Sequence, residues 1–273
     1  MTMGSGLVLS VVVPVYNEQA LVRASLERLR ALPIPLQVIC VDDASTDGSR
    51  AVLEALQREG VVDVLVCHPR NRGKGSAVRS GIEHATGEVV VIHDADLEYD
   101  PFDLPHLLAP IADGRADAVF GSRFTGSPRR VLYFWHRVGN GLLTLLSNMM
   151  TDLNLTDMET CYKMVRTDLL KSLPLRTKRF GIEPELTARL AQARARIYEV
   201  PISYYGRTYD EGKKIGWRDG FAAFWHIVRA NVFAPPVPRY LPAGEGPATG
   251  RPAHPAVAGA RAAATALAHG GPR

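Results

Sequence analysis

The chain has 273 residues, with 46% apolar and 22% charged residues, a composition typical of a globular protein with one substantial domain or two small ones. Basic residues exceed acidic ones by 32 to 28, which fits an anionic ligand or an anionic membrane surface but is too small to indicate either alone. The three scattered cysteines lack metal-ligand spacing, and no apolar run reaches the roughly 18 residues that cross a bilayer, so we expect a cytoplasmic protein.

The first part of the chain alternates between apolar, strand-like runs and segments of helical periodicity. Strands are predicted over residues 9–15, 36–41, 61–67 and 89–92, and helices over residues 20–32, 49–59 and 76–85. This alternation predicts βαβ units and a largely parallel sheet. Because right-handed crossovers bring the ends of parallel strands to one edge, the loops after these strands are expected to line one cleft.

The second part of the chain is predicted to be mostly helical. Strands are predicted over residues 116–120 and 196–203, and helices over residues 131–152, 185–195 and 217–233. From Pro235 onward Pro, Gly and Ala dominate and the periodicity ends. We therefore expect one α/β domain over residues 1–234 and a disordered tail over residues 235–273.

Two carboxylates follow the solid apolar run of residues 89–92. Asp94 and Asp96 stand at positions i and i+2, so in an extended chain they point the same way. Ligands of open α/β sheets bind beyond the carboxyl ends of the strands. A pair of carboxylates there suits Mg²⁺ or Mn²⁺, which in turn holds a diphosphate. A surface turn with two solvated acids is the alternative for this tripeptide taken alone.

Three segments in this order carry a resemblance to a known family: Val13-Pro14-Val15-Tyr16-Asn17-Glu18, the Asp42-to-Gly48 loop, and Asp94-Ala95-Asp96. With them the chain resembles family 2 glycosyltransferases of the GT-A fold, an α/β fold with a mostly parallel sheet flanked by helices, here with amphipathic C-terminal helices. It looks most like the polyprenyl-phosphate sugar transferases of the dolichyl-phosphate mannose synthase type, over roughly Leu9 to Phe233. The resemblance implies an inverting, metal-dependent transferase that moves a hexose from GDP-mannose or UDP-glucose to dolichyl or undecaprenyl phosphate.

The resemblance also assigns donor-binding residues. It implies a nucleoside pocket lined by Pro14, Tyr16, Glu18 and Asp43, with Asp42 nearby. Capping of the next helix is the alternative for Asp42 and for Asp47, and we favour it for Asp47. Lys74, between two glycines in the loop of residues 70–75, suits a phosphate or the donor sugar. A mobile basic loop is the alternative interpretation of that segment.

The metal and diphosphate ligands are assigned by the same resemblance. Asp96 is expected to be the principal metal ligand and Glu98, where relatives often have Gln, a second one, while Asp94 contacts the donor, its metal or its sugar hydroxyls beside Ala95. The segment from Arg207 to Gly216 resembles the family's Arg…Gly-x-Ser-Lys-Leu-Gly segment, with Lys213 in place of Ser. It implies that Arg207 and Lys214 bind the diphosphate, the alternative being a solvated basic loop.

The acceptor side is assigned to two arginines. By resemblance Arg123, directly after a predicted strand, and Arg137 bind an acceptor phosphate, whose geometry matches the guanidinium fork. A phosphate monoester is already an anion, so such a reaction needs no general base. Residues 132–150 and 217–233 are amphipathic and aromatic, as in helices that lie in a membrane interface, although packing on the sheet is equally open. We expect peripheral attachment to the cytoplasmic face of a membrane, either directly or through a separate membrane partner.

Other functions remain open at this point. A family 2 transferase acting on a soluble or glycan hydroxyl needs a base, for which Asp157 and Glu159 are the candidates; by resemblance one of them bonds sugar hydroxyls. A nucleotidyltransferase needs a glycine-rich loop near the first strand, and this chain has Pro14-to-Glu18 there. A non-catalytic nucleotide-sugar-binding protein is a further alternative. Nucleic acid is not expected as a partner, because the basic residues lie beside acids rather than in a stripe.

Overall fold

A computed structural model describes residues 6–126, 130–131, 133–179, 181–206 and 217–242, with the backbone alone for residues 217–219. The chain divides into two compact units, Met1–Arg239 and Tyr240–Arg273, and the helices and strands given below all belong to the first. The division into a domain over residues 1–234 and a disordered tail stays a prediction. Pro235 is described, and its carbonyl accepts a hydrogen bond of 2.7 Å from the Arg189 guanidinium.

The described residues form one seven-stranded sheet in the order β3-β2-β1-β4-β6-β5-β7. Its strands are β1 (Leu9–Val15), β2 (Leu36–Asp42), β3 (Val64–Cys67), β4 (Val89–Ile92), β5 (Ala118–Ser122), β6 (Lys163–Arg166) and β7 (Ile197–Pro201). The helices are α1 (Val22–Arg30), α2 (Ser49–Arg58), α3 (Lys74–Glu83), α4 (Leu104–Ala112), α5 (Phe134–Thr151), α6 (Thr167–Ser172), α7 (Ile182–Gln192) and α8 (Trp217–Val232).

The two halves of the sheet differ in strand direction. β3, β2, β1 and β4 are parallel, and their register places Val15 beside Asp42 and Val12 beside Ile92. β6 runs antiparallel to both of its neighbours, β4 and β5, whereas β7 is parallel to β5. The carboxyl ends of β1, β2 and β4 therefore meet at one edge, as the sequence predicts.

The central strands are apolar along their length because both of their faces are covered. Every residue of β4 is buried, and helices α1, α2 and α3 contribute fully buried side chains such as Leu26, Leu53 and Val78. Burying a side chain of this size stabilises the fold by about 1.5–3 kcal/mol. This rigid core positions the loops that follow the strands.

The predicted strands and helices are confirmed, with ends that shift by at most three residues. Three elements are missing from the sequence-based prediction: α4, β6 and α6. Helix α4 contains Pro110, which is unusual inside a helix, and β6 is only four residues long and begins with a lysine. Lys163 is 1% exposed and donates hydrogen bonds of 2.6 Å to the carbonyls of Met158 and Thr160. A short strand that begins with a buried lysine lacks the apolar pattern from which strands are predicted, so β6 was missed.

Helices α5 and α8 pack against each other and expose large apolar side chains. On α5 these are Trp135, Leu142, Leu145 and Met149, and on α8 they are Phe221, Phe224, Trp225 and Val232. Their spacing places each set on one side of its helix. None of the helices in the described part of the chain combines the length and apolarity that a membrane crossing needs.

Candidate active site

The loops after β1 and β2 are bound to each other by side chains. Asn17 has a φ of 55° and accepts the N–H of Thr46 at 2.8 Å, while its own N–H donates to Ser45 Oγ at 3.0 Å. The Glu18 N–H donates to Ser49 Oγ at 2.9 Å. Tyr16, just beyond the half-buried Pro14, stays 44% exposed. These hydrogen bonds hold the two loops together, and the ring of Tyr16 beside them stays accessible.

Asp42 and Asp47 make contacts within the protein. Asp42 has no exposed surface, pairs with Arg50 at 2.7 Å and accepts the Ser45 N–H at 3.1 Å. Asp47 accepts the N–H of Ser49, the first residue of α2, at 2.8 Å. The contacts of Asp47 therefore match the interpretation that this residue caps the start of α2. Through these contacts Asp42 stabilises the loop that follows β2. The position of Asp42 near a nucleoside stays a prediction.

Asp43 connects the ends of β2 and β3. It is 3% exposed and accepts the backbone N–H groups of Arg72 at 2.9 Å and of Gly73 at 2.7 Å. Its Oδ1 also lies 2.6 Å from Nδ1 of His68, whose Nε2 lies 3.0 Å from Ser80 Oγ. Sequence reasoning missed His68, although it directly follows β3 and precedes Pro69. Asp43 thereby fixes the backbone of the loop that carries Lys74.

The glycines on either side of Lys74 are required by close packing. Gly73 has a φ of +88°, and a Cβ there would lie 2.4 Å from the carbonyl oxygen of Lys178. A Cβ on Gly75 would lie 2.4 Å from the carbonyl oxygen of Thr177. The loop is therefore held against residues 177–179, in contrast to the alternative of a mobile basic loop.

Lys74 bridges two carboxylates at the centre of the cleft. Its ammonium lies 2.8 Å from Asp94 and 2.9 Å from Glu183, and its side chain is 15% exposed. Burial opposes the charged ammonium, but Asp94, the Cys161 thiol and Glu183 outweigh burial and raise the pKa of Lys74 well above its ordinary value. Burial likewise opposes the Asp94 carboxylate, and Lys74 nevertheless lowers the pKa of Asp94. The pair is thus charged at neutral pH.

The Asp94-Ala95-Asp96 turn is supported from beneath by buried polar groups. The His93 ring lies 3.2 Å from Ser25 Oγ and 2.9 Å from the Tyr162 hydroxyl, and burial lowers the pKa of His93 to about 4. Ser25 also donates to the carbonyl of Asp96 at 3.3 Å. Ala95 is 3% exposed, whereas Asp94 and Asp96 on either side of it are partly exposed.

Glu98 continues the same turn. Its N–H donates to Asp96 Oδ1 at 3.1 Å, and its Oε2 accepts the Tyr204 hydroxyl at 2.8 Å. Asp96 and Glu98 are joined by the first of these contacts, but within the described ranges no three His, Cys, Asp or Glu side chains form a group that could hold a metal by themselves. Mg²⁺ is usually bound by one or two carboxylates together with substrate phosphates. The residues present therefore fit a divalent ion that binds together with a diphosphate.

Arg123 and Arg137 approach the same aromatic ring. The Arg137 guanidinium lies 3.9 Å and the Arg123 guanidinium 5.6 Å from the centroid of Phe124. Arg123 also forms a two-point ion pair with Asp157, with nitrogen–oxygen distances of 2.6 and 2.7 Å. That ion pair raises the pKa of Arg123, although burial opposes the charge. The structure thus brings the two predicted acceptor arginines together.

Asp157 does not suit the role of a general base. It has no exposed surface, and its two oxygens accept hydrogen bonds from Arg123, with a further one of 3.3 Å from Asn140. This geometry disfavours Asp157 as the base for a hydroxyl acceptor, and the contact of Asp157 or Glu159 with sugar hydroxyls stays a prediction. The buried ion pair with Arg123 occupies both carboxylate oxygens.

Glu159 differs from Asp157 in its surroundings. Its Oε1 is buried without a hydrogen-bond partner, and burial, followed by the charge of Glu183, raises the pKa of Glu159 to about 7. Burial also lowers the pKa of the nearby Lys163 to about 8. Glu183 lies in the first turn of α7 and binds Lys74. Glu159 interacts electrostatically with Glu183, which binds Lys74, and with Arg123, and so is coupled to both sides of the site.

Two predicted diphosphate ligands, Arg207 and Lys214, lie outside the described residues, as does Lys213. Their roles stay predictions. The arrangement that is described offers a fixed cation at a pair of carboxylates, and two guanidiniums at a neighbouring aromatic ring. Such a site can hold two anionic groups side by side.

Residues 10–173 match the sequence profile described as Glycosyl transferase family 2. An undecaprenyl-phosphate mannosyltransferase of Micrococcus luteus is 32% identical over 240 residues, which cover 81% of this chain and 97% of that protein. An undecaprenyl-phosphate 4-deoxy-4-formamido-L-arabinose transferase of Edwardsiella ictaluri is 31% identical, and this alignment covers 75% of the chain but 62% of that protein.

A dodecaprenyl-phosphate galacturonate synthase of Rhizobium johnstonii is 28% identical over 76% of this chain and 62% of that protein. Among solved structures, glucosyl-3-phosphoglycerate synthase from Mycobacterium tuberculosis, in complex with Mn²⁺, UDP and glucosyl-3-phosphoglycerate, has a TM-score of 0.64 at 20% identity. That match covers 83% of this chain and 81% of the other. It confirms the predicted fold.

Proposed function

This chain belongs to glycosyl transferase family 2, and we propose that it transfers a hexose, with inversion, from a nucleotide-sugar to a polyprenyl phosphate. The observation that carries the proposal is the placement of two guanidiniums, Arg123 and Arg137, at one ring beside helix α5, whose outer side exposes large apolar groups. Guanidinium groups suit a phosphate, and the apolar side suits its lipid chain. The named acceptor of the Micrococcus luteus relative is a polyprenyl phosphate, which agrees with this assignment.

On the donor side, Tyr16, Pro14 and Glu18 would line the nucleoside pocket, and Lys74 with Asp94 and Asp96 would face the diphosphate. A Mg²⁺ or Mn²⁺ ion bound by one or two of Asp96, Asp94 and Glu98, together with the donor phosphates, would supply positive charge to the leaving diphosphate. Lys74 adds a fixed cation that needs no rearrangement during the reaction. Arg207 and Lys214 are proposed to complete the charge balance.

On the acceptor side, Arg123 and Arg137 would orient the phosphate so that one oxygen attacks the anomeric carbon. The bond from that carbon to the nucleoside diphosphate breaks as the new bond forms, which inverts the configuration. Because the phosphate attacks as an anion, no side chain has to remove a proton. The buried pair with Asp157 keeps Arg123 in one orientation throughout.

The experiment is a sugar-transfer assay with radiolabelled GDP-mannose or UDP-glucose, Mg²⁺ or Mn²⁺, and a short polyprenyl phosphate in detergent. Label that moves into the organic phase would support the proposal and identify the donor. The corresponding polyprenyl alcohol is the matched control, because it offers the same lipid without the phosphate. Equal transfer to the alcohol, or none to the phosphate, would overturn the assignment of the acceptor.

One observation favours a second candidate, transfer to a hydroxyl acceptor. Glu159 combines a buried oxygen without a hydrogen-bond partner with a pKa of about 7, which suits a general base. Glu159→Gln separates the two candidates because it removes the base and keeps the shape. A phosphate acceptor predicts a change of less than about tenfold in kcat, whereas a hydroxyl acceptor predicts a loss of about 10²–10⁴-fold.

We also propose that the protein attaches peripherally to a membrane through the outer sides of α5 and α8, directly or beside a membrane partner. Trp135 is 76% and Trp225 54% exposed, and tryptophan favours the membrane interface. The Trp135→Ser/Trp225→Ser variant should bind vesicles less than wild type in a sedimentation assay. Phe102→Ser is the control, since Phe102 is 52% exposed on another part of the surface. Equal losses in both variants would contradict this attachment.

A further inference from the structure

A second group of cations lies apart from the candidate active site, between α7, α8 and the segment before α7. Arg176, Arg189, Arg229 and His226 line a cavity of about 60 Å³, which we call the arginine cavity. Arg176 and Arg229 are exposed at its rim, whereas Arg189 is 1% exposed at its base. The cavity is thus open to solvent on one side.

The buried Arg189 is only partly satisfied by the protein. One guanidinium nitrogen donates to Gln192 Oε1 at 2.9 Å and to the Pro235 carbonyl at 2.7 Å. Its Nε, however, is buried without a hydrogen-bond partner. An unsatisfied buried donor on a charged group is costly, so the protein by itself satisfies the charge of Arg189 incompletely.

Positive groups outnumber negative ones in the lining of the cavity. Glu185 is the one carboxylate among its lining residues in the described chain, and its oxygens accept the backbone N–H groups of Arg176 at 2.9 Å and Thr177 at 2.7 Å. Burial lowers the pKa of Arg189, the charge of Glu185 partly opposes that effect, and the charge of Arg176 lowers the pKa further. Burial and the charge of Arg229 lower the pKa of His226 in the same way. Three arginines facing one occupied carboxylate create a positive field.

We propose that the arginine cavity is a binding site for a phosphate group, presented either by an anionic phospholipid headgroup or by a free phosphate. A cavity needs about 10–15 Å³ to hold one water molecule. The arginine cavity, at about 60 Å³, therefore has room for about four groups of that size, which matches the four oxygens of a phosphate. The guanidinium fork matches phosphate geometry. The exposed Phe233 at the rim places an apolar surface where the chains of a lipid would lie.

The site is distinct from the donor cleft but lies near it. On α7, Glu183 binds Lys74, and Arg189 follows six residues later, about 9 Å along the helix axis. Thr177, in the wall of the cavity, accepts a hydrogen bond from Arg79 through its carbonyl, and Gly75 packs closely on that same carbonyl. An anion in the arginine cavity is therefore one packed segment away from the loop that carries Lys74.

The test removes the charges of the two arginines at the rim and keeps the buried Arg189. Arg176→Gln/Arg229→Gln is compared with Arg58→Gln/Arg115→Gln, which removes the same charge from exposed arginines outside the cavity. Melting temperature is measured during titration with inorganic phosphate, and sedimentation with vesicles of phosphatidylglycerol or of phosphatidylcholine. Wild type and the control variant should be stabilised saturably by phosphate, and the affinity of the rim variant should fall about tenfold.

The vesicle arm identifies the source of the phosphate. Weaker binding of the rim variant to phosphatidylglycerol vesicles, with no change for phosphatidylcholine, supports a lipid headgroup. A rim effect seen with phosphate but not with vesicles supports a free phosphate in the same site. Equal responses of the rim and control variants to both probes would overturn the site. None of these readouts requires sugar transfer, so they stay independent of the transferase proposal.

Discussion

The donor side and the acceptor side of the candidate site are built from different kinds of contact. On the donor side, Asp43 and Lys74 are enclosed by hydrogen bonds and ion pairs from four separate parts of the chain. On the acceptor side, Arg137 is an exposed residue of α5 that stacks on Phe124. The same helix exposes Trp135 to solvent. A polar donor that diffuses in water needs a rigid, charged pocket. A lipid-linked acceptor instead needs a charged point at the edge of an apolar surface.

The largest effect is expected from the donor side. Asp96→Ala should reduce transfer by at least about 10³-fold, because the leaving diphosphate loses its metal. Binding of the nucleoside diphosphate, measured by calorimetry with and without Mn²⁺, should lose its dependence on the metal. Asp113→Ala is the control, since the Asp113 side chain is 57% exposed and pairs with Arg115 on the surface. Unchanged turnover in Asp96→Ala would contradict the assignment of Asp96 as a metal ligand.

The next effect tests the link between acceptor binding and the fold. Arg123→Ala leaves the Asp157 carboxylate buried without its counter-ion, which should lower the free energy of unfolding by about 3 kcal/mol in urea denaturation. Arg123→Ala/Asp157→Asn should recover most of that loss but not acceptor use, measured as KM for the polyprenyl phosphate. If the double variant also regains acceptor use, Arg123 acts only structurally.

A smaller effect is expected where the two sides meet. Glu159 is surrounded by Glu183, Lys163, Arg123 and Asp157, and its pKa rises from 4.5 unfolded to about 7 folded. The folded protein thus holds this proton more tightly, so the contribution of Glu159 to stability is greatest below about pH 4.5 and falls as pH rises toward about 7. Glu159→Gln should remove about 2 kcal/mol of this decline, allowing for partial exposure.

Urea denaturation of wild type and Glu159→Gln across that pH range measures the difference. Glu54→Gln is the control, because Glu54 lies on the surface of α2, away from this cluster. Parallel stability curves for wild type and Glu159→Gln would show that the carboxylate titrates normally.

The smallest effect isolates the exposed acceptor contact. Arg137→Ala should raise KM for the polyprenyl phosphate about tenfold and leave the affinity for the donor nucleotide and the melting temperature unchanged, because Arg137 is on the surface. Arg58→Ala, also an exposed arginine, serves as the control. A larger loss of donor affinity than of acceptor KM would place Arg137 on the donor side.

Much of the fold and part of the site were predictable from sequence. The apolar runs of β1, β2 and β4 indicate buried parallel strands, and local chain order then places Asp43, Lys74, Asp94 and Asp96 at one edge. The contacts of Asp157, one of the two candidate bases for a hydroxyl acceptor, were not predictable, because sequence alone does not show that Arg123 occupies both of its oxygens.

The strand periodicity, the order of the βαβ units and the acids at the strand ends follow from the sequence, because these features depend on neighbouring residues. The antiparallel β6, the Lys74–Glu183 and His68–Asp43 contacts and the arginine cavity are visible in the folded protein alone. Each of these joins segments far apart in the chain. Whether two such side chains meet depends on how helices and strands pack in three dimensions, and no local pattern records that packing.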